Sequence, residues 1–132
     1  MNRAQFSMYV WSAYLISAGT IMVIAPVAFF TWVGLHDPGN GMWLRLYGML
    51  MGILGYFFCE AARANNREFM LWGARARMIP IFFLTMFVIM GLESPMVLTF
   101  GIVDVITGLW TLSALRADTL SRAPVKFGRS AM

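Results

Sequence analysis

Asp104 is the first residue to ask about chemistry, because it is a carboxyl inside an otherwise uncharged run from Ser94 to Leu115. A carboxyl deep in a lipid-spanning helix is costly and marks a functional or polar-network position by default. Gly101, Gly108 and Thr111 share its helical face by three- and four-residue spacing, so that face is expected to pack inward. Tyr14, Tyr47 and Thr107 are the hydroxyls within plausible reach, and Arg45 is the basic candidate on the same half of the chain's spans. Arg45 is offset from Asp104 by roughly 9 Å at about 1.5 Å per residue, and its side chain is directed away. A bonded polar network and a ligand or proton site are both open for this group.

Glu60, Arg75 and Arg77 form a second charged set, near the basic ends of the second and third apolar runs. The expectation is an ion pair that neutralises charges too costly to leave alone in hydrocarbon. Gly48, Gly52 and Gly55, followed by Cys59 and Ala62, make a small-residue stripe suited to close helix packing. Packing against a neighbour in the same chain comes first, and a dimer interface second.

Conventional catalytic sets are missing from the sequence. One histidine and one cysteine cannot build a His/Cys metal cluster, an HExxH helix or a Cys/His or Ser/His/Asp triad from neighbouring positions. His36 beside Asp37 would need ligands from another chain to hold zinc, which takes three or four. Gly39-Asn40-Gly41 is too short for a phosphate cradle and has no lysine after it, and no apolar run holds a lysine for a Schiff base. Hydrolase, kinase and metalloprotease readings of the soluble type are therefore dropped, and no metal or cofactor is expected.

The elements that must position these residues follow from composition. Of 132 residues 60% are hydrophobic and 12% charged, against roughly 25% charged in a soluble domain. Twelve methionines and eleven phenylalanines suit lipid-facing and gap-filling roles. Apolar runs of about 20 residues mark spans, and four occur, at about 9–32, 42–63, 71–92 and 95–116. The fold expected is an all-α, integral membrane four-helix bundle over 1–116. Pro26 and Pro80 are expected to kink the first and third helices, each removing a backbone donor. Ser94-Pro95 reads as an N-cap followed by proline at the first helical position. The first run is too long for a signal-peptide core of about 7–15 residues and is read as an uncleaved helix.

Nine of the ten basic residues flank one side of these spans, namely Arg3, the 63–77 group and the residues from Arg116 onward; only Arg45 lies toward the other. By the positive-inside rule both termini and the middle loop are cytoplasmic, at a bacterial inner membrane. Each basic cluster sits where insertion already requires one, so nucleic acid is not an expected partner. Residues 117–132 read as a basic cytoplasmic tail, disordered alone, weakly attracted to anionic lipid and open to capture by a partner subunit.

Trp43-Leu44-Arg45-Leu46-Tyr47-Gly48, an arginine entering a glycine-rich second helix of a short four-helix chain, resembles the pattern of small bacterial DoxX-like membrane proteins. The resemblance spans about Tyr9 to Arg116 and implies a four-helix bundle without specifying an activity. Three functions are expected from these residues, in order. The first is a non-catalytic accessory or assembly subunit that packs, with membrane lipids, against other membrane protein subunits. The second is a bundle that binds a lipophilic small molecule such as a quinone, sterol or lipid. The third is a proton-coupled carrier using Asp104.

Overall fold

The structure, a computed structural model, describes residues 1–35, 39 and 41–122. Their regular elements are all helical: α1 (Arg3–Ile24), α2 (Pro26–Trp32), α3 (Gly41–Arg63), α4 (Arg67–Ala76), α5 (Pro80–Ile89), a 310 turn (Pro95–Val97) and α6 (Leu98–Arg122). Four stretches are long and apolar enough to cross a membrane: Arg3–Ile24, Gly41–Arg63, Arg67–Ile89 and Pro95–Ser121. His36 and Asp37, considered and set aside as metal ligands, and residues 123–132 of the tail lie outside the described residues.

Local chemistry sets where each helix begins and ends. α1 begins six residues before the expected Tyr9 because Asn2 and Gln5 form a capping box. The Asn2 side chain accepts from the Gln5 N–H at 2.7 Å, and the Gln5 side chain accepts from the Asn2 N–H at 3.0 Å, satisfying two orphan donors. Pro26 ends α1 and starts α2, as expected from its missing donor. α2 ends on Gly34, whose φ of 73° is the left-handed conformation that glycine adopts without strain.

Asn65, at φ 50°, turns the chain between α3 and α4, and the Asn66 side chain caps α4 by accepting from the Phe69 N–H at 3.1 Å. Pro80 breaks the third span into α4 and α5, and the Ile79 N–H reaches back to the Ala76 carbonyl at 3.0 Å in a 310-type bond. Ser94 caps the 310 turn through the Met96 N–H at 3.3 Å, with Pro95 first in line. α6 continues past the expected stop at Arg116 to Arg122, so residues 117–122 belong to the last helix and not to a tail.

Two packing regimes follow along the bundle axis. At the end that holds the N-terminus, Asn2 bonds Asn65 at 3.1 Å and Gln5 bonds the Ala62 carbonyl at 2.9 Å. Arg67 bonds the Leu115 carbonyl at 2.9 Å and the Thr119 hydroxyl at 2.6 Å, and the Ala4 N–H reaches Asp118 at 3.4 Å. The apolar core lies just above this clasp, where Ala4, Met8 and Trp11 of α1 meet Phe58 and Ala62 of α3 and Met70 of α4. Toward the far end the bundle loosens. α5 packs on α6 and the 310 turn, α3 packs chiefly on α1, and among the described residues α3 and α5 make no extended contact.

The small-residue stripe joins α1 to α3 within this chain. A Cβ on Gly48 would lie 2.7 Å from the Gly19 carbonyl, and one on Gly55 would lie 3.1 Å from the Ser12 carbonyl. The Ser12 hydroxyl also donates to the Gly55 carbonyl at 2.7 Å. Gly52 differs, because a Cβ there would meet open space.

Candidate functional site

Between the loosened halves of α3 and α5 the bundle holds a partly open cavity of about 420 Å³. That size falls within the range of about 300–1,000 Å³ usual for small-molecule sites. Its walls are apolar and aromatic, with Phe29 and Phe30 of α2, Phe100 of α6, Met51 and Leu54 of α3 and Leu84 of α5. Five side chains with polar atoms join them: Trp11, Tyr14, Tyr47, Arg77 and Asp104.

Arg77 forms part of the floor of the cavity, toward the end with the N-terminus. It is 4% exposed, with its guanidinium carbon 4.3 Å from the Trp11 ring centroid and 5.2 Å from that of Phe58. Such stacking is worth about 2 kcal/mol when desolvated. Its terminal nitrogens donate to the Thr111 hydroxyl at 3.4 Å and the Met8 sulfur at 3.2 Å. Thr111 is fully buried and lies 3.1 Å from the Ser7 hydroxyl, so α1, α4 and α6 meet through one polar knot. The Nε–H groups of Arg77 and Trp11 are buried without a partner.

Here the structure departs from the expected pairing of Glu60 with Arg75 and Arg77. Glu60 pairs with Arg63 at 2.8 Å on the partly exposed surface, and Arg75 is exposed. Residues two apart on a helix point to different sides, so Arg75 and Arg77 could not both face Glu60. Arg77 sits in the turn between α4 and the Pro80 break and faces the interior.

Asp104 projects into the cavity from α6, seven positions before Thr111, hence about 10 Å further along the axis. Close packing on either side of it fixes the helix face that carries it. A Cβ on Gly101 would lie 2.7 Å from Ile81 of α5, and one on Gly108 would lie 2.9 Å from the Ala74 carbonyl of α4. The expected inward face is therefore the observed one. Asp104 lies within electrostatic range of Tyr14, Tyr47 and Arg77. Among the described residues no donor lies within hydrogen-bond distance of its carboxyl, and neither tyrosine hydroxyl has a hydrogen-bond partner.

Two of the expected partners are engaged elsewhere. Thr107 bonds the backbone carbonyls of Val103 at 2.7 Å and of its neighbour Asp104 at 3.1 Å, not the carboxyl. Arg45 donates to the Val23 carbonyl in the last turn of α1, where helix-end carbonyls lack intrahelical donors. It caps that helix and does not line the cavity. The structure thus brings together Asp104, Tyr14 and Tyr47 and adds Arg77 and Trp11, which sequence reasoning did not connect to them. A signal for Arg77 was present, since it lies two residues from Arg75 and three before Pro80.

Chemically, the site offers one acceptor carboxyl and two phenol hydroxyls on a greasy wall, with a guanidinium already engaged by rings and hydrogen bonds at its base. Among the described residues no group of three or more His, Cys, Asp or Glu side chains is placed to hold a metal ion. No family model, no curated protein and no solved structure matches the chain.

Proposed function

We propose that the protein is a four-helix bundle of the bacterial inner membrane, with both termini cytoplasmic, that holds a lipophilic small molecule in the cavity beside Asp104. The observation that carries this reading is the cavity itself, about 420 Å³ of apolar, aromatic-walled space lined by the Asp104 carboxyl and Tyr14, with Tyr47, 58% exposed, at its rim. Natural ligand sites combine these features, an apolar body and a few placed polar groups. The loosened contact between α3 and α5 supports entry from the bilayer side, past Tyr47 and Leu54 on one helix and Pro80 and Leu84 on the other. The orientation draws support from the clasped end, where Arg3, Arg63, Arg67 and Arg116 gather with the N-terminus.

The Gly48 and Gly55 positions of the small-residue stripe are used between α1 and α3 of the same chain, as expected first, so the stripe does not favour an accessory-subunit role over the ligand reading. The ligand reading is tested by native mass spectrometry after extraction in a mild detergent. The wild-type protein is expected to carry a stoichiometric adduct that Leu84→Trp, which fills the cavity, removes and that Trp32→Phe, on the exposed surface, leaves. An adduct unaffected by Leu84→Trp, or none in the wild type, counts against the cavity as a binding site.

A further inference from the structure

We infer that the cavity selects a neutral amphiphile whose head donates an O–H to the Asp104 carboxyl between the hydroxyls of Tyr14 and Tyr47, a hydroxyl-headed lipid as opposed to an anionic, cationic or headless one. This inference rests on the ligand-cavity reading above and names the chemistry the cavity recognises.

Three observations lead to it. The Asp104 carboxyl lacks a donor within hydrogen-bond distance among the described residues, while Tyr14 and Tyr47 lie within electrostatic range of it and are themselves unpartnered. No bond joins the carboxyl to either phenol, so all three keep their hydrogen-bonding capacity for a guest. A carboxylate only accepts, whereas a phenol both donates and accepts. The group that satisfies all three must donate to Asp104 and can accept from a tyrosine, which a hydroxyl does with one atom.

Charge excludes the alternatives. Of the described residues lining the cavity only Arg77 and Asp104 are charged, and their charges offset each other within one apolar site. An ammonium or carboxylate head would leave one charge uncompensated in a low-dielectric space, which is costly. An anionic head also finds little in Arg77, which is stacked between Trp11 and Phe58 with its terminal nitrogens bonded to Thr111 and Met8, and whose one unpartnered donor, the Nε–H, is itself buried. Beyond the polar level the walls are the rings of Phe29, Phe30 and Phe100, which suit a hydrocarbon body.

The test uses the full chain labelled with 5-fluorotryptophan in nanodiscs of phosphatidylcholine, a lipid without a hydroxyl donor, read by fluorine NMR. Trp11 lines the cavity and is 5% exposed, whereas Trp32 and Trp43 are 83% and 69% exposed and report partitioning into the bilayer. Trp11→Phe serves to assign the cavity resonance. Oleyl alcohol is expected to shift the Trp11 resonance saturably while Trp32 and Trp43 do not saturate. Oleylamine, oleate and 1-octadecene are expected to need at least tenfold more for half-saturation. Asp104→Leu is expected to raise the oleyl alcohol requirement at least tenfold, and Asp104→Asn, which keeps an acceptor oxygen, by less.

Equal or tighter binding of oleylamine, oleate or 1-octadecene, or an Asp104→Leu protein that binds oleyl alcohol as the wild type does, overturns the head assignment while leaving the cavity reading standing. No saturable Trp11 shift with any of the four probes overturns both.

Discussion

At the scale of single residues, the assignment of partners decides what Asp104 does. Arg45 caps the last turn of α1 through the Val23 carbonyl, while Arg77 shares the cavity with Asp104. Coupling in a double-mutant cycle should follow that division. Measured as unfolding free energy in mixed detergent, Arg45→Met and Asp104→Asn should add within about 0.5 kcal/mol, the limit for independent sites. Arg77→Met with Asp104→Asn should be non-additive, because each single change leaves the other buried charge uncompensated. Additivity in the Arg77 cycle, or coupling in the Arg45 cycle, would reverse the assignment. Asp104 itself was legible in the sequence as a carboxyl in an apolar run. Arg77 was legible as a charge near the proline but not as a neighbour of Asp104, because which way a side chain points beside a proline break depends on the turn geometry and not on helical spacing.

The helices show where patterns of residues suffice and where they do not. Apolar runs located all four long helices, and Pro26, Pro80 and Ser94-Pro95 broke or started them where their missing donors and capping oxygens require. While α5 stops at Ile89, short of 92, the helices extend past the expected bounds at the start of α1, at the start of α4 (Arg67 against 71) and at the end of α6, all beyond the apolar runs. There capping by Asn2 and Gln5, and the bonds of Asp118 and Thr119 to neighbouring helices, hold polar turns that hydropathy does not see. The glycine stripe was legible as a packing face but not its partner, which is Gly19 and Ser12 of α1.

This close approach makes a graded prediction along one helix. Gly48→Ala pushes a methyl to 2.7 Å from a backbone oxygen and should destabilise the protein by about 1–3 kcal/mol, the usual cost of overpacking. Gly52→Ala enters open space and should be neutral or stabilising by up to about 1 kcal/mol from helix propensity. Thermal unfolding of the two variants in the same detergent checks the order. A Gly52→Ala protein as unstable as Gly48→Ala would mean that a second chain covers the open face.

For the whole molecule, the loosening from a clasped end to an open end is what turns a helix bundle into a container. The core of Met8, Trp11, Phe58 and Met70 closes one half, while α5 has no buried residue. An apolar pocket beside Asp104 was an expectation from the sequence, but its place and size were not legible there, since a cavity is a property of how far apart helices sit. Orientation has its own check: a reporter active only in the periplasm should be silent when fused after Arg122 or within 64–68, and active near Gly39. The opposite pattern would invert the placement drawn from the basic residues.

The central claim, a lipophile held inside the bundle, is tested most directly by photolabelling in native membranes with a hydroxyl-headed alkyl diazirine, followed by peptide mapping. Labelling is expected to concentrate on Tyr14, Leu15, Met51 and Leu84, which line the cavity, and to fall with excess unlabelled oleyl alcohol. Labelling confined to outward positions such as Phe82 and Ile89, 73% and 80% exposed, and indifferent to competitor would contradict it.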